Sequence, residues 1–89
     1  MWRWMTVVRG EYDAALPVEL GGAGDRVRVR IVDGARWEVR LRGADGVERW
    51  RAVVPATGWD EARRRIEGVV AHRQGARASL GPTIPPRAA

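Results

Sequence analysis

The sequence predicts an α+β domain: an antiparallel sheet of three to four strands with one C-terminal helix packed on one face. Three observations carry this. Residues 26–54 alternate apolar and polar side chains almost throughout, the period of half-buried strands. Asp-Gly pairs at 33–34 and 45–46 interrupt the alternation where hairpin turns belong. One amphipathic helical pattern then follows Thr57.

The alternation predicts strands at Arg26–Val32, Arg36–Arg42 and Val47–Val54. With Asp45-Gly46 as a two-residue type I′ loop, Leu41 meets Trp50, Val39 meets Ala52 and Trp37 meets Val54. Arg42 then faces Arg49, Arg40 faces Arg51 and Glu38 faces Val53. A one-residue slip would scatter the apolar set over both faces, so this register is strongly specified. The first hairpin needs an odd loop, either Val32-Asp33-Gly34 with Gly34 left-handed, or Asp33-Gly34-Ala35. Both put Val27, Val29 and Ile31 on the face of Val39 and Leu41.

The opposite face gathers Arg26, Arg28, Arg30, Arg36, Arg40, Arg42, Arg49 and Arg51. On this reading Glu38 is its only carboxylate and Val53 its only apolar member. Like charges directly opposite one another oppose sheet formation, so such a face calls for a negative partner. The plain reading is a solvated, solubilising surface, but a plain surface mixes its signs.

Residues 2–9 read as a further strand, with Trp2 and Trp4 packing on the core or on a partner. Residues 10–25 read as a connection, with a short strand at Val18–Leu20. Gly21-Gly22-Ala23-Gly24 lacks the following helix that a phosphate loop needs, and reads as a turn. Thr57 is an N-cap with Asp60 as its capping-box relative, and the helix is expected from about Gly58 to Gln74, with Gly75 as its stop. Asp60–Arg64, Glu61–Arg65 and Arg63–Glu67 are spaced as helical ion pairs. The expected core is Val27, Val29, Ile31, Trp37, Val39, Leu41, Trp50, Ala52, Val54, Trp59, Ala62, Ile66, Val69 and Val70. Residues 1–75 are thus one α+β domain and residues 76–89 a flexible C-terminal tail, Pro-rich and without periodicity.

Composition narrows the function. All 16 basic residues are arginine, and the net charge is +5 over 89 residues. Guanidinium groups bind phosphates and guanine edges bidentately, so an anionic partner is expected. Cysteine is absent, which removes disulfides, thiolate nucleophiles and zinc–cysteine sites. No run of residues is apolar enough for a membrane span, and arginines interrupt the N-terminus where a signal peptide is apolar. A soluble, cytoplasmic protein with no membrane partner is the expectation. His72 is the only histidine and has no carboxylate at helical spacing. Ser79 has no base nearby in sequence, and the absence of lysine removes Schiff-base chemistry. Neither an enzyme, a cofactor nor a metal site is expected.

Two functions remain. The leading expectation is nucleic-acid binding, DNA rather than RNA, through the eight arginines of the exposed face. The alternative is a small protein–protein interaction module, binding an acidic protein or forming a homodimer through the N-terminal strand. In layout, residues 26–74 are similar to plant AP2-type domains and resemble the arm-binding domains of some phage and transposon integrases, where three strands and a helix present sheet arginines to the DNA major groove. With the N-terminal strand included, the order is also similar to the repeat of PUR-type single-strand binders. That resemblance implies dimers and the use of sheet arginines and aromatics, although Trp37 and Trp50 fall on the helix-facing side here.

Overall fold

Five strands, β1 (Met5–Val8), β2 (Glu11–Ala15), β3 (Arg26–Asp33), β4 (Arg36–Arg42) and β5 (Glu48–Pro55), form one antiparallel sheet in sequence order. One helix, α1 (Trp59–Leu80), follows β5. The computed structural model describes residues 2–21 and 24–80, the last five of them by backbone alone. The arrangement is the expected α+β fold with one strand more than predicted.

The added strand is β2, which the sequence reading takes as connection. Its alternation is short but real: Tyr12 and Ala14 face the helix side, while Glu11, Asp13 and Ala15 pair with Arg30, Arg28 and Arg26. Beyond it, Val18–Leu20 forms a 3₁₀ turn rather than a strand, because Pro17 supplies the carbonyl that accepts from Leu20 N–H. β1 is shorter than expected and carries a bulge between Thr6 and Val8. Of the Gly21–Gly24 turn, Gly22 and Ala23 lie outside the described residues.

The two long hairpins keep the predicted central registers. Val39 lies between Val29 and Ala52, Leu41 between Val27 and Trp50, and Trp37 between Ile31 and Val54. The loops differ. In the β4–β5 hairpin, Gly46 N–H donates to Gly43 O and Gly43 N–H to Val47 O, and Gly46 holds φ 81°. This is a three-residue loop with glycine in the left-handed position, not a two-residue type I′ turn. Arg42 therefore faces Glu48 rather than Arg49, and Arg49 is the extra residue that restores the central register. In the β3–β4 hairpin the register is that of the Asp33-Gly34-Ala35 loop, but Val32 is bulged and Asp33 closes directly on Arg36. Asp33 Oδ1 accepts from Ala35 N–H at 2.9 Å, an Asx turn that leaves Gly34 without a positive φ.

The core lies between the sheet and α1. Val27, Val29, Val39, Leu41, Ile66 and Val70 are its largest fully buried side chains. Ala14, Leu16 and Ala56 join it from segments the sequence reading leaves out. Ile31 does not, at 39% exposure, because it lies at the far end of β3 beside the β1–β2 turn. Trp50, Trp59 and Val69 are half-buried at its margin. An aromatic cluster pins α1 to the N-terminal half of the chain. Trp59 stacks on Tyr12 at 3.8 Å, Trp4 meets Trp59 edge-on at 5.3 Å, and Trp2 stacks on Trp4. Trp4 Nε1–H also donates to Glu67 at 2.8 Å. Both N-terminal tryptophans thus pack within the chain. At the other end Trp50 donates to Gln74 Oε1 and Gln74 donates to Leu20 O, so this buried polar side chain has partners.

The helix starts one residue later than expected. Ala62 N–H donates to Gly58 O, making Gly58 the N-cap, and it is Glu61 rather than Asp60 that reaches back to Thr57 N–H and Oγ1–H. Gly75 does not stop the helix. It lies on an exposed face, where a Cβ would have nothing within 4 Å, so it only lowers propensity. Residues 76–80 are helical rather than tail, and 81–89 lie outside the described residues.

Gly10 closes the β1–β2 turn at φ 81°, and a Cβ there would come within 2.8 Å of Ile31 Cγ2. Gly10→Ala is therefore expected to destabilise the domain by about 1–3 kcal/mol, from left-handed strain plus the contact. A urea midpoint unchanged from wild type would contradict this.

Candidate functional site

The arginine face is where the extra strand matters most. β2 brings Glu11 and Asp13 onto it, and the β4–β5 loop brings Glu48 opposite Arg42. Glu38 is not its only carboxylate. Asp13, only 13% exposed, accepts from Arg26 Nε at 2.8 Å and from Arg28 Nε at 3.4 Å. Arg28 also reaches Glu11 at 3.5 Å. Glu38, equally sheltered, lies 3.3 Å from both Arg30 and Arg51 and 3.8 Å from Arg40. Arg51 makes a two-pronged pair with Glu48 at 2.9 and 3.1 Å. At the turns, Arg36 pairs with Asp33 and Arg49 with Asp45.

Of the eight predicted site arginines, seven thus have a carboxylate partner. Arg42 makes no direct ion pair among the described residues, although Glu48 lies opposite it in β5 and feels its charge. On the β3 side it lies directly opposite Arg26, and Arg26, Arg28 and Arg42 line a shallow pocket with Asp13. The predicted Arg40–Arg51 pair does occur, but Glu38 sits between the two guanidiniums and turns repulsion into a shared bridge. The face is a mixed-charge lattice with one residual positive corner.

The hydrogen bond from Arg51 holds the Glu48 carboxyl below the ordinary range, and Arg51 is raised in turn by Glu48. Asp33 is lowered by the Arg36 hydrogen bond, Asp45 by Val47 N–H, and Glu61 by Thr57 N–H and hydroxyl. Each depressed carboxylate contributes stability that is complete above its unfolded value, 3.8 for Asp or 4.5 for Glu, and lost as pH falls through its lower folded value. The melting temperature is therefore expected to be flat from neutral pH to about 5 and to fall below about 4.5. A melting temperature that rises on acidification would contradict these pairs.

The sheet has two edges, and they differ. β1 is four residues long and bulged, two devices that blunt strand pairing. Its Met5, Val7 and Val8 are exposed. β5 spans eight residues, and its outer edge opens onto a groove against α1. Ala56 N–H points toward β4, since it donates to Ala35 O. By alternation the N–H and C=O of Arg51 and Val53, and the C=O of Pro55, point outward. Arg65 Nη1 already donates to Pro55 O at 3.1 Å. The groove is floored by Val54, Gly68 and Val69 and rimmed by Arg65, His72 and Arg73. Arg73 is braced over the Trp50 ring at 4.7 Å. No carboxylate lines it among the described residues. None of these groove residues is among the site arginines predicted from the sequence. The signal in the sequence is Gly68, a glycine within the helical pattern.

Among the described residues no group of three or more His, Cys, Asp or Glu side chains is placed to hold a metal ion, and no helix is long and apolar enough to cross a membrane. His72 is exposed, with Arg65 and Arg73 rather than a carboxylate along the same groove. No protein-family model matches this chain, and none of the curated proteins or solved structures does either.

Proposed function

We propose that the protein is a small protein-interaction module that works through a sheet edge. The observation that carries this reading is the long outer edge of β5, with outward backbone groups at Arg51 and Val53 beside an apolar groove. An edge of that length readily accepts a further strand. Homodimerisation through the N-terminal strand is less favoured, because β1 is short and bulged and its neighbouring tryptophans are engaged within the chain.

Nucleic-acid binding is the second reading, and one observation favours it: Arg26, Arg28 and Arg42 converge on a pocket lined by a single carboxylate, Asp13. An oxyanion such as a backbone phosphate fits that charge balance. The rest of the arginine face supports it less well, since each phosphate contact there would first have to displace Glu11, Asp13, Asp33, Glu38, Asp45 or Glu48.

Selection from a random displayed-peptide library, run against the immobilised chain with excess duplex DNA as competitor, tests the choice. Enrichment of peptides with alternating apolar positions, confirmed as binders at micromolar Kd, supports the edge reading. Failure to enrich any peptide contradicts it.

A further inference from the structure

We propose that the groove between β5 and α1 binds an extended acidic–apolar segment of a partner protein, which adds to the sheet as a sixth strand. This rests on the interaction reading above and names the partner's chemistry.

The outward N–H and C=O groups of Arg51 and Val53 offer an incoming strand the ladder that β4 offers on the inner side. Arg65 occupies the Pro55 carbonyl, and Pro55 has no N–H, so the usable edge ends there. From Trp50 to Pro55 the edge is roughly 17 Å long, which suits a segment of about five residues. The helix runs back along it, because the short link after Pro55 and the Arg65–Pro55 hydrogen bond hold its start near one end of β5, and Gln74 and Arg73 hold its later turns against Trp50 at the other. The groove is therefore parallel to the strand it would extend.

Side-chain chemistry sets the partner's composition. On an added strand alternate residues point to opposite sides. One set would enter the groove, an open hollow of about 470 Å³ whose lining includes Val54, Val69 and the bare Gly68. These positions should be apolar. The other set would emerge on the outer face beside Arg51, whose charge Glu38 and Glu48 already share, so acidic residues matter at the segment's ends, near Arg65 and Arg73. Arg65 is bridged to Glu61 at 2.9 Å, but Arg73 has no carboxylate partner among the described residues. His72 adds a further donor. An acidic segment complements this rim. A second copy of the chain does not, because pairing β5 with β5 would bring the two sets of Arg65, His72 and Arg73 toward each other.

Gly68 provides the decisive variant. Nothing lies within 4 Å of a Cβ built there, so a larger residue fits the fold and takes the partner's space. Gly68→Trp should keep or raise the melting temperature, since it also replaces a helical glycine.

The test is fluorescence anisotropy of a labelled seven-residue peptide alternating Asp and Val against the full chain, beside an Arg–Val peptide of the same pattern. Backbone amide shifts of isotope-labelled protein locate the site. The acidic peptide is expected to bind, to shift Arg51, Val53 and residues 65–73, and to lose at least tenfold in affinity on Gly68→Trp and on Arg73→Glu. Equal binding of the basic peptide in the same groove would overturn the acidic partner while leaving the edge reading standing. Shifts confined to β1, or to Arg28, Arg40 and Arg42, would overturn the groove. Absence of binding by either peptide would overturn the inference, whereas the library selection above judges the broader reading on its own.

Discussion

Val39→Asp is expected to abolish cooperative folding. Val39 is fully buried at the centre of the sheet, with Val29 on one side and Ala52 on the other. The substitution loses about 1.5–3 kcal/mol of apolar burial. It also places a carboxylate in an apolar core, a cost of several kcal/mol unless the group stays protonated. Domains of this size have only about 5–13 kcal/mol in hand. The variant should show no thermal transition by far-ultraviolet circular dichroism at neutral pH. A wild-type melting curve would mean that the two faces of the sheet are exchanged, with the arginines inside.

Trp59→Ala is the second large effect, expected to cost about 3–5 kcal/mol. Its ring stacks on Tyr12, packs beside Trp37 with centroids 5.7 Å apart and receives the edge of Trp4, so it joins the aromatic surface of β2, β4 and the N-terminus to the start of α1. Its removal should lower the melting temperature by more than about 10 °C. The damage should be greatest at β1 and β2, which lean on this cluster for their contact with the helix. Amide exchange would show it: residues 5–15 should lose protection before β3–β5 do. Uniform loss of protection across all five strands would argue against this role of the cluster.

The sheet centre was legible because its information is local and redundant. Each of β3, β4 and β5 carries three inward apolar residues, and only one register stacks them all. Loop chemistry was less legible. An Asp-Gly pair suits both a two-residue turn and a three-residue loop with a bulge, and the bulge at Arg49 hides the difference from every apolar pair. β2 was missed because a five-residue strand with only Tyr12 and Ala14 inward gives a weak period between Gly10 and Pro17. That omission had the largest consequence. Glu11 and Asp13 are more than ten residues from the arginines they neutralise, so the charge balance of the face follows from the β2–β3 register and from nothing local. The groove was not legible either. It exists because α1 leaves the β5 edge uncovered and because one helical position, Gly68, has no side chain to fill the gap.

An arginine face neutralised by its own carboxylates should hold nucleic acid weakly, leaving the β5 edge as the working surface. Binding to a labelled duplex, followed by anisotropy as salt is raised, tests this most directly. At about 150 mM salt the wild type is expected to bind no more tightly than non-specific association, roughly 10⁻⁴–10⁻⁶ M. Its log–log salt slope should be about −1 to −2, reflecting Arg42 and its immediate neighbours alone. A Kd well below that range with a slope of about −4, abolished by Arg40→Ala and Arg51→Ala together, would show that phosphates displace Glu38 and Glu48, and would contradict the account.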